Sequence, residues 1–118
     1  MQYLLLIYHD ESDWPRLNSA QQQATYREYR QLIQELSEGG KFLAGDQLKP
    51  AATATTVRVR GGKKKRTDGP FAETKEQLGG YFLLEVGGVD EAIEIAARIP
   101  AAKNGSIEIR EVSVRQGS

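Results

Sequence analysis

Tyr3-Leu4-Leu5-Leu6-Ile7-Tyr8 is apolar at odd and even positions alike. A strand with one wet face alternates apolar with polar residues, so this run predicts a central strand covered on both sides. It ends at His9-Asp10-Glu11, and residues 12–18 read as a loop around Trp14-Pro15. The period then changes. Tyr26, Tyr29, Leu32, Ile33 and Leu36 form one helical stripe, while Arg27, Arg30, Gln34 and Glu38 fall largely off it. Ser19 and Gln22 have capping-box spacing, which places the helix start there, and Gly39-Gly40 stops it.

Lys41 to Asp46 predicts a short strand, and Pro50 with the Ala-rich 51–54 stretch predicts a loop. Thr55-Thr56-Val57-Arg58-Val59-Arg60 alternates at period two. Gly61-Gly62 reads as a hairpin turn with Lys63 to Thr67 returning, which gives an inserted hairpin at about 55–67. Tyr81 to Val86 is the next strand, with Phe82, Leu84 and Val86 on one face and Tyr81, Leu83 and Glu85 on the other. Asp90 is the expected cap of a second helix whose buried stripe is Ala92, Ile93, Ala96 and Ile99, ended by Pro100. A last strand alternates Ile107, Ile109 and Glu111 with Glu108, Arg110 and Val112, and residues 115–118 read as a frayed tail.

Without the insertion the order is βαββαβ. This is an α+β chain of the ferredoxin-like kind, an antiparallel sheet with both helices on one face. At 118 residues it is a single domain spanning 1–118. The helices cover one face of the sheet, yet the first strand is apolar on both. The economical cover for the second face is another copy of the chain, so a homodimer, or a higher oligomer built on it, is expected.

Between the hairpin and the third core strand lies Thr67-Asp68-Gly69-Pro70-Phe71-Ala72-Glu73-Thr74-Lys75-Glu76. Asp-Gly-Pro favours a turn: Asp bonds backbone two residues on, Gly permits positive φ and Pro fixes its own. The motif Asp68-Gly69-Pro70-Phe71, with Glu73, Lys75, Glu76 and Gly80-Tyr81, resembles the signature of the DGPF group within the YCII-related domain family. The likeness spans Tyr3 to Val112 and implies a dimeric α+β barrel formed by sheet-to-sheet packing. Family members outside the DGPF group carry a His–Asp pair proposed as catalytic, its histidine in the first helical region. Residues 19–38 here hold no histidine, so that pair does not transfer directly, and His9 at the strand end is its candidate substitute.

Composition narrows the chemistry. Sixteen basic residues balance sixteen acidic ones, which argues against wholesale nucleic-acid binding. No cysteine is present, which excludes disulfides and a thiol nucleophile. No run of ~18 apolar residues suggests a membrane helix, and the N-terminus lacks the pattern of a signal peptide, so the expectation is a cytoplasmic chain with no membrane partner. His9 is the one histidine and suits proton transfer near neutral pH; the plainer reading is a solvated strand end. Asp68 is the second catalytic candidate, as a base or as the group that orients His9, against the alternative that it only bonds its own turn. Arg58, Phe71, Glu73, Tyr81 and Glu85 are candidate ligand-binding residues. Glu85 on the second sheet face asks for a partner such as Arg58, Arg60 or Arg110. Lys63-Lys64-Lys65-Arg66 resembles a phosphate-binding run, but it has no aromatic platform and reads as an edge protected by lysine. The scattered carboxylates give no zinc pattern, and the Gly pairs give no dinucleotide fingerprint.

Two functions follow. One is a small-molecule enzyme or binder doing acid–base chemistry in a cleft, with no metal or organic cofactor. The other, implied by the DGPF resemblance, is a non-catalytic regulatory module linked to an extracytoplasmic-function sigma factor.

Overall fold

The computed structural model describes residues 1–113, so the tail expected at 115–118 lies outside the described residues. Eight elements form in order: β1 (Gln2–His9), α1 (Ser19–Glu38), β2 (Phe42–Gln47), β3 (Thr55–Arg60), β4 (Lys63–Asp68), β5 (Gln77–Glu85), α2 (Val89–Arg98) and β6 (Ser106–Glu111). Short 3₁₀ turns occur at Trp14–Arg16, Ala51–Thr53 and Pro100–Lys103. The main sheet has the order β2-β5-β1-β6, antiparallel throughout, which is the ferredoxin-like arrangement.

The two-faced apolar run of β1 explains its central place. Tyr3, Leu5 and Ile7 are buried with Phe82 and Leu84 of β5 against Leu32 and Leu36 of α1 and Ala92, Ile95 and Ala96 of α2. Leu5, Leu84 and Ile99 are fully enclosed, so truncating Leu5 or Leu84 to alanine costs about 2–5 kcal/mol. The opposite face carries Leu4, Leu6 and Tyr8, paired across β5 with Leu83, Tyr81 and Leu78. All but Leu78 are half-buried, and Leu78 is exposed.

Several boundaries differ from expectation. The cap of α1 is Asn18, one residue before Ser19. Its Oδ1 accepts from the Gln21 amide at 2.8 Å, while its own amide donates to Gln21 Oε1 at 2.9 Å. That is the reciprocal capping box, formed by the Asn–Gln pair rather than by Ser19 and Gln22. Gly88, not Asp90, caps α2. Glu91 serves this terminus by accepting the Gly87 amide at 2.9 Å, which places Asp90 inside the first turn. The buried stripe of α2 uses Ile95 rather than Ile93, because Ala92, Ile95, Ala96 and Ile99 keep the three-one-three spacing that Ile93 breaks.

β5 begins at Gln77, four residues before the predicted start, so Gly79-Gly80 lie inside the strand. Both are glycine for close approach. A Cβ on Gly80 would stand 2.9 Å from the Asp46 carbonyl oxygen, and one on Gly79 would overlap the His9 imidazole. Gly79 is also the extra residue of a bulge. Ile7 pairs with Gly80 and Tyr8 with Leu78, which leaves Gly79 without a partner on β1.

β3 and β4 form a separate two-stranded ribbon. Gly61 (φ 58°) and Gly62 (φ 74°) are both left-handed, as a two-residue type I′ hairpin requires. Among the described residues the ribbon pairs with no other strand. The Cα radius of gyration is 16.5 Å, against about 13–14 Å for a compact chain of this size, as a projecting arm would produce. No helix among the described residues is long and apolar enough to cross a membrane.

Candidate functional site

The bulge at Gly79 opens space at the C-terminal end of β1, and His9 fills it. His9 follows Ile7 on the helix-covered face, so its ring turns toward the side on which α1 lies. A cleft of about 600 Å³ begins there, between the sheet and α1. Ile7, Ile33 and Phe82 supply apolar wall, Trp14, Tyr26 and Tyr29 supply aromatic wall, and the 3₁₀ turn at Pro100–Lys103 closes one side. Small-molecule sites have this character: mostly apolar, with a few polar groups to orient the occupant.

The aromatic wall is built by contacts between elements. Trp14 meets Tyr26 edge-to-face, with centroids 5.1 Å apart. The Trp14 carbonyl accepts from Gln22 Nε2 at 3.1 Å, so the loop after β1 is fastened to α1. Tyr29 meets Phe82 at 6.5 Å, and Phe82 meets Phe42 at 5.3 Å. Burial pushes the Tyr29 hydroxyl above its ordinary range, with the Ala101 backbone acting in the opposite direction. Tyr29 therefore stays protonated and can donate a hydrogen bond. Asp13 and Glu28 bring carboxylates to the lining, and Lys103 Nζ lies 3.7 Å from Glu28 Oε2.

The loop after β1 is also anchored at its base. The Glu11 amide donates to Gln77 Oε1 at 3.0 Å, and both Glu11 carboxylate oxygens accept from the Ala51 amide at 3.1 Å. Asp10 accepts from the Ser12 hydroxyl at 2.7 Å and the Ser12 amide at 2.9 Å, and these bonds hold its carboxyl below the usual range. Trp14 is thus a fixed wall of the cleft, positioned by a loop that is tied on three sides.

Of the sequence-derived candidates, His9 lines this cleft and the others do not. Asp68 ends β4 on the arm, with its side chain 85% exposed and Arg66 Nη2 at 3.4 Å from Oδ1. The structure does not bring it into the cleft beside His9. Arg58 projects from the arm, Phe71 is 79% exposed, and Glu73 is exposed in the same loop. Tyr81 lies on the opposite sheet face, where its hydroxyl donates to Asp46 Oδ2 at 3.2 Å; this bond raises its pKa. Glu85 lies on that face too. Its partner is the Met1 amino group at 2.6 Å rather than an arginine.

Sequence reasoning missed Tyr26, Tyr29, Asp13 and Glu28 as cleft residues. Tyr26 and Tyr29 carried a signal: two tyrosines three apart on an otherwise aliphatic stripe put hydroxyls where a packed core has no use for them. Asp13 and Glu28 carried none, because a single carboxylate in a loop or on a helix looks like solvated surface.

The sequence that builds this scaffold is similar to that of known proteins. A protein of Rhizobium meliloti (strain 1021), described as uncharacterized protein R00369, is 34% identical over 116 residues, covering 97% of this chain and 94% of that one. Residues 1–115 match the YCII-related domain, a span that takes in every strand and helix around the cleft as well as the arm, and the chain belongs to the YCII-related domain family.

Proposed function

We propose that the cleft binds a small, largely apolar or aromatic molecule and that His9 moves a proton on it, in a homodimer of the dimeric α+β barrel kind. The observation that supports this reading is the position of His9: the chain's one imidazole sits at the floor of an aromatic-walled cavity of about 600 Å³. An imidazole accepts or gives a proton near neutral pH. Tyr29, held protonated, is placed to donate a hydrogen bond to the same occupant. The chemistry is of the lyase, isomerase or dehalogenase type and draws on no metal or organic cofactor. Asp68 stands on the arm, outside the cleft of its own chain, and is given no role in this reading.

Trp14 is the chain's one tryptophan and forms part of the wall, so its fluorescence reports occupancy directly. Screening aromatic and short-chain acids against the wild type, with the His9 ring followed by NMR, should find compounds that change both signals together. Once a reacting compound is identified, His9→Gln should abolish turnover and retain binding. A library in which no compound moves either signal, or a His9→Gln variant with full turnover, would overturn the proposal.

One observation favours the alternative of an interaction module linked to an extracytoplasmic-function sigma factor. Phe71, a large apolar side chain, is left 79% exposed. A stoichiometric complex with such a factor, lost in Phe71→Ser, would favour that reading.

A further inference from the structure

The β3–β4 arm has two unlike faces. Strand pairing sets Arg58 opposite Lys65 and Arg60 opposite Lys63, so one face carries four cations, with Thr56 and Thr67 at its base. All four cations are exposed, and among the described residues none of them is in an ion pair. Arg60 Nη1 donates only to the adjoining Val59 carbonyl, at 3.0 Å. The arm's one carboxylate, Asp68, shares the other face with Val57, Val59, Lys64 and Arg66, and it is paired there with Arg66.

Cations directly opposite one another on paired strands repel, and a lone two-stranded ribbon is only marginally stable in water. A lysine-protected edge accounts for charge on the arm, but not for two facing pairs of one sign. Those pairs oppose folding of the free arm and become favourable against closely spaced negative charge. The even balance of the whole chain hides a split. Residues 55–68 carry six bases and one acid, a net of +5, while the chain balances sixteen against sixteen, so the rest carries −5. A polyanion is therefore drawn to the arm and repelled by the body, and the arm stands apart from the main sheet.

Two features choose the polyanion. Residues 55–68 hold no aromatic side chain, so the arm has no platform on which unpaired bases could stack. Its two six-residue strands make a ribbon about 20 Å long. The major groove of B-form DNA admits a two-stranded ribbon, whereas that of A-form RNA is too narrow for one. We infer that the cation face of the arm docks on duplex DNA, lying in the major groove with Arg58, Arg60, Lys63 and Lys65 reaching the phosphates on either side. Phosphate contacts carry no sequence information, so the binding is largely indifferent to sequence. This surface is separate from the cleft and stands or falls independently of the chemistry proposed there.

Fluorescence anisotropy of a labelled duplex of about 20 bp, titrated with the full chain at several salt concentrations, tests it. Four phosphates neutralised by one arm predict a slope of log K against log salt of about −3.6. Arg58→Gln with Lys65→Gln should reduce that slope by about two units and weaken binding about tenfold or more. Arg27→Gln with Arg30→Gln removes the same charge from α1 and should leave the slope unchanged. Trp14 fluorescence like that of the wild type certifies that each variant is folded. As a second measurement, hydrogen exchange within residues 55–68 should slow when duplex is added. A wild type that does not bind duplex even at low salt, or two double variants with the same slope, would overturn the inference. So would exchange that slows only outside the arm. A single strand bound as tightly as the duplex removes the groove, and polyglutamate bound as tightly would replace DNA with an acidic protein partner.

Discussion

The imidazole of His9 occupies the space that a side chain on Gly79 would take. The two residues belong to neighbouring antiparallel strands, and the β5 bulge leaves Gly79 without a partner on β1. The ring is therefore placed by an absence: the missing Cβ lets it turn into the cleft, toward the side on which α1 lies.

A direct prediction follows for Gly79→Ala. The new methyl group must displace the ring, and overpacking of this sort costs about 1–3 kcal/mol. Urea unfolding should show that loss, and the His9 ring resonances should shift. In a His9→Ala background the methyl group has room, so the same change should cost much less. A double-mutant cycle reads the difference as a coupling energy between the two positions. Additive effects would show that the glycine is required for some other reason.

This pair also shows where sequence reading succeeds and where it stops. The apolar run of β1, the α1 stripe and the period-two alternation of β3 predicted the βαββαβ order and the inserted hairpin, because burial imposes its period on the chain. Gly79-Gly80 fell outside the strand predicted from Tyr81, since local sequence does not tell a glycine that bends the chain from one that admits a neighbour. His9 was legible as a candidate through its chemistry. Asp68 was named for its chemistry, as a base or as the group that orients His9, and the arm that carries it outside this chain's cleft is a long-range feature of the fold. The aromatic wall was half-legible: Tyr26 and Tyr29 were placed on the correct face, but a stripe pattern does not distinguish filled core from the lining of a cavity.

The start of α1 gives a second prediction. Asn18 and Gln21 satisfy each other's amides, and α1 supplies the Tyr26 and Tyr29 wall one and two turns further on. Asn18→Ala removes the side-chain acceptor and should cost about 1 kcal/mol by urea unfolding. Ser19→Ala should change stability by no more than a few tenths, because Ser19 is the first helical residue and not the cap. Equal losses in the two variants would return the cap to Ser19.

The third prediction concerns acid. Glu91 accepts the Gly87 amide and pairs with Lys41 Nζ at 2.8 Å; the amide bond first and the lysine second hold its carboxyl below the ordinary value. A carboxyl whose folded pKa lies below its unfolded value binds fewer protons when folded. Its contribution is therefore present above the unfolded pKa of about 4.3 and is lost as pH falls through the folded one. Wild type should be more stable than Glu91→Gln at pH 7, and the gap should close as pH falls below the unfolded value of about 4.3. Unfolding midpoints across that range read the gap directly. Lys41→Met should lower the pH 7 stability by less than Glu91→Gln, because it leaves the negative charge on the Gly87 amide and at the start of α2 in place, whereas glutamine offers the amide only a neutral acceptor. A gap that stays constant with pH would mean that the carboxylate acts through packing and not through its charge.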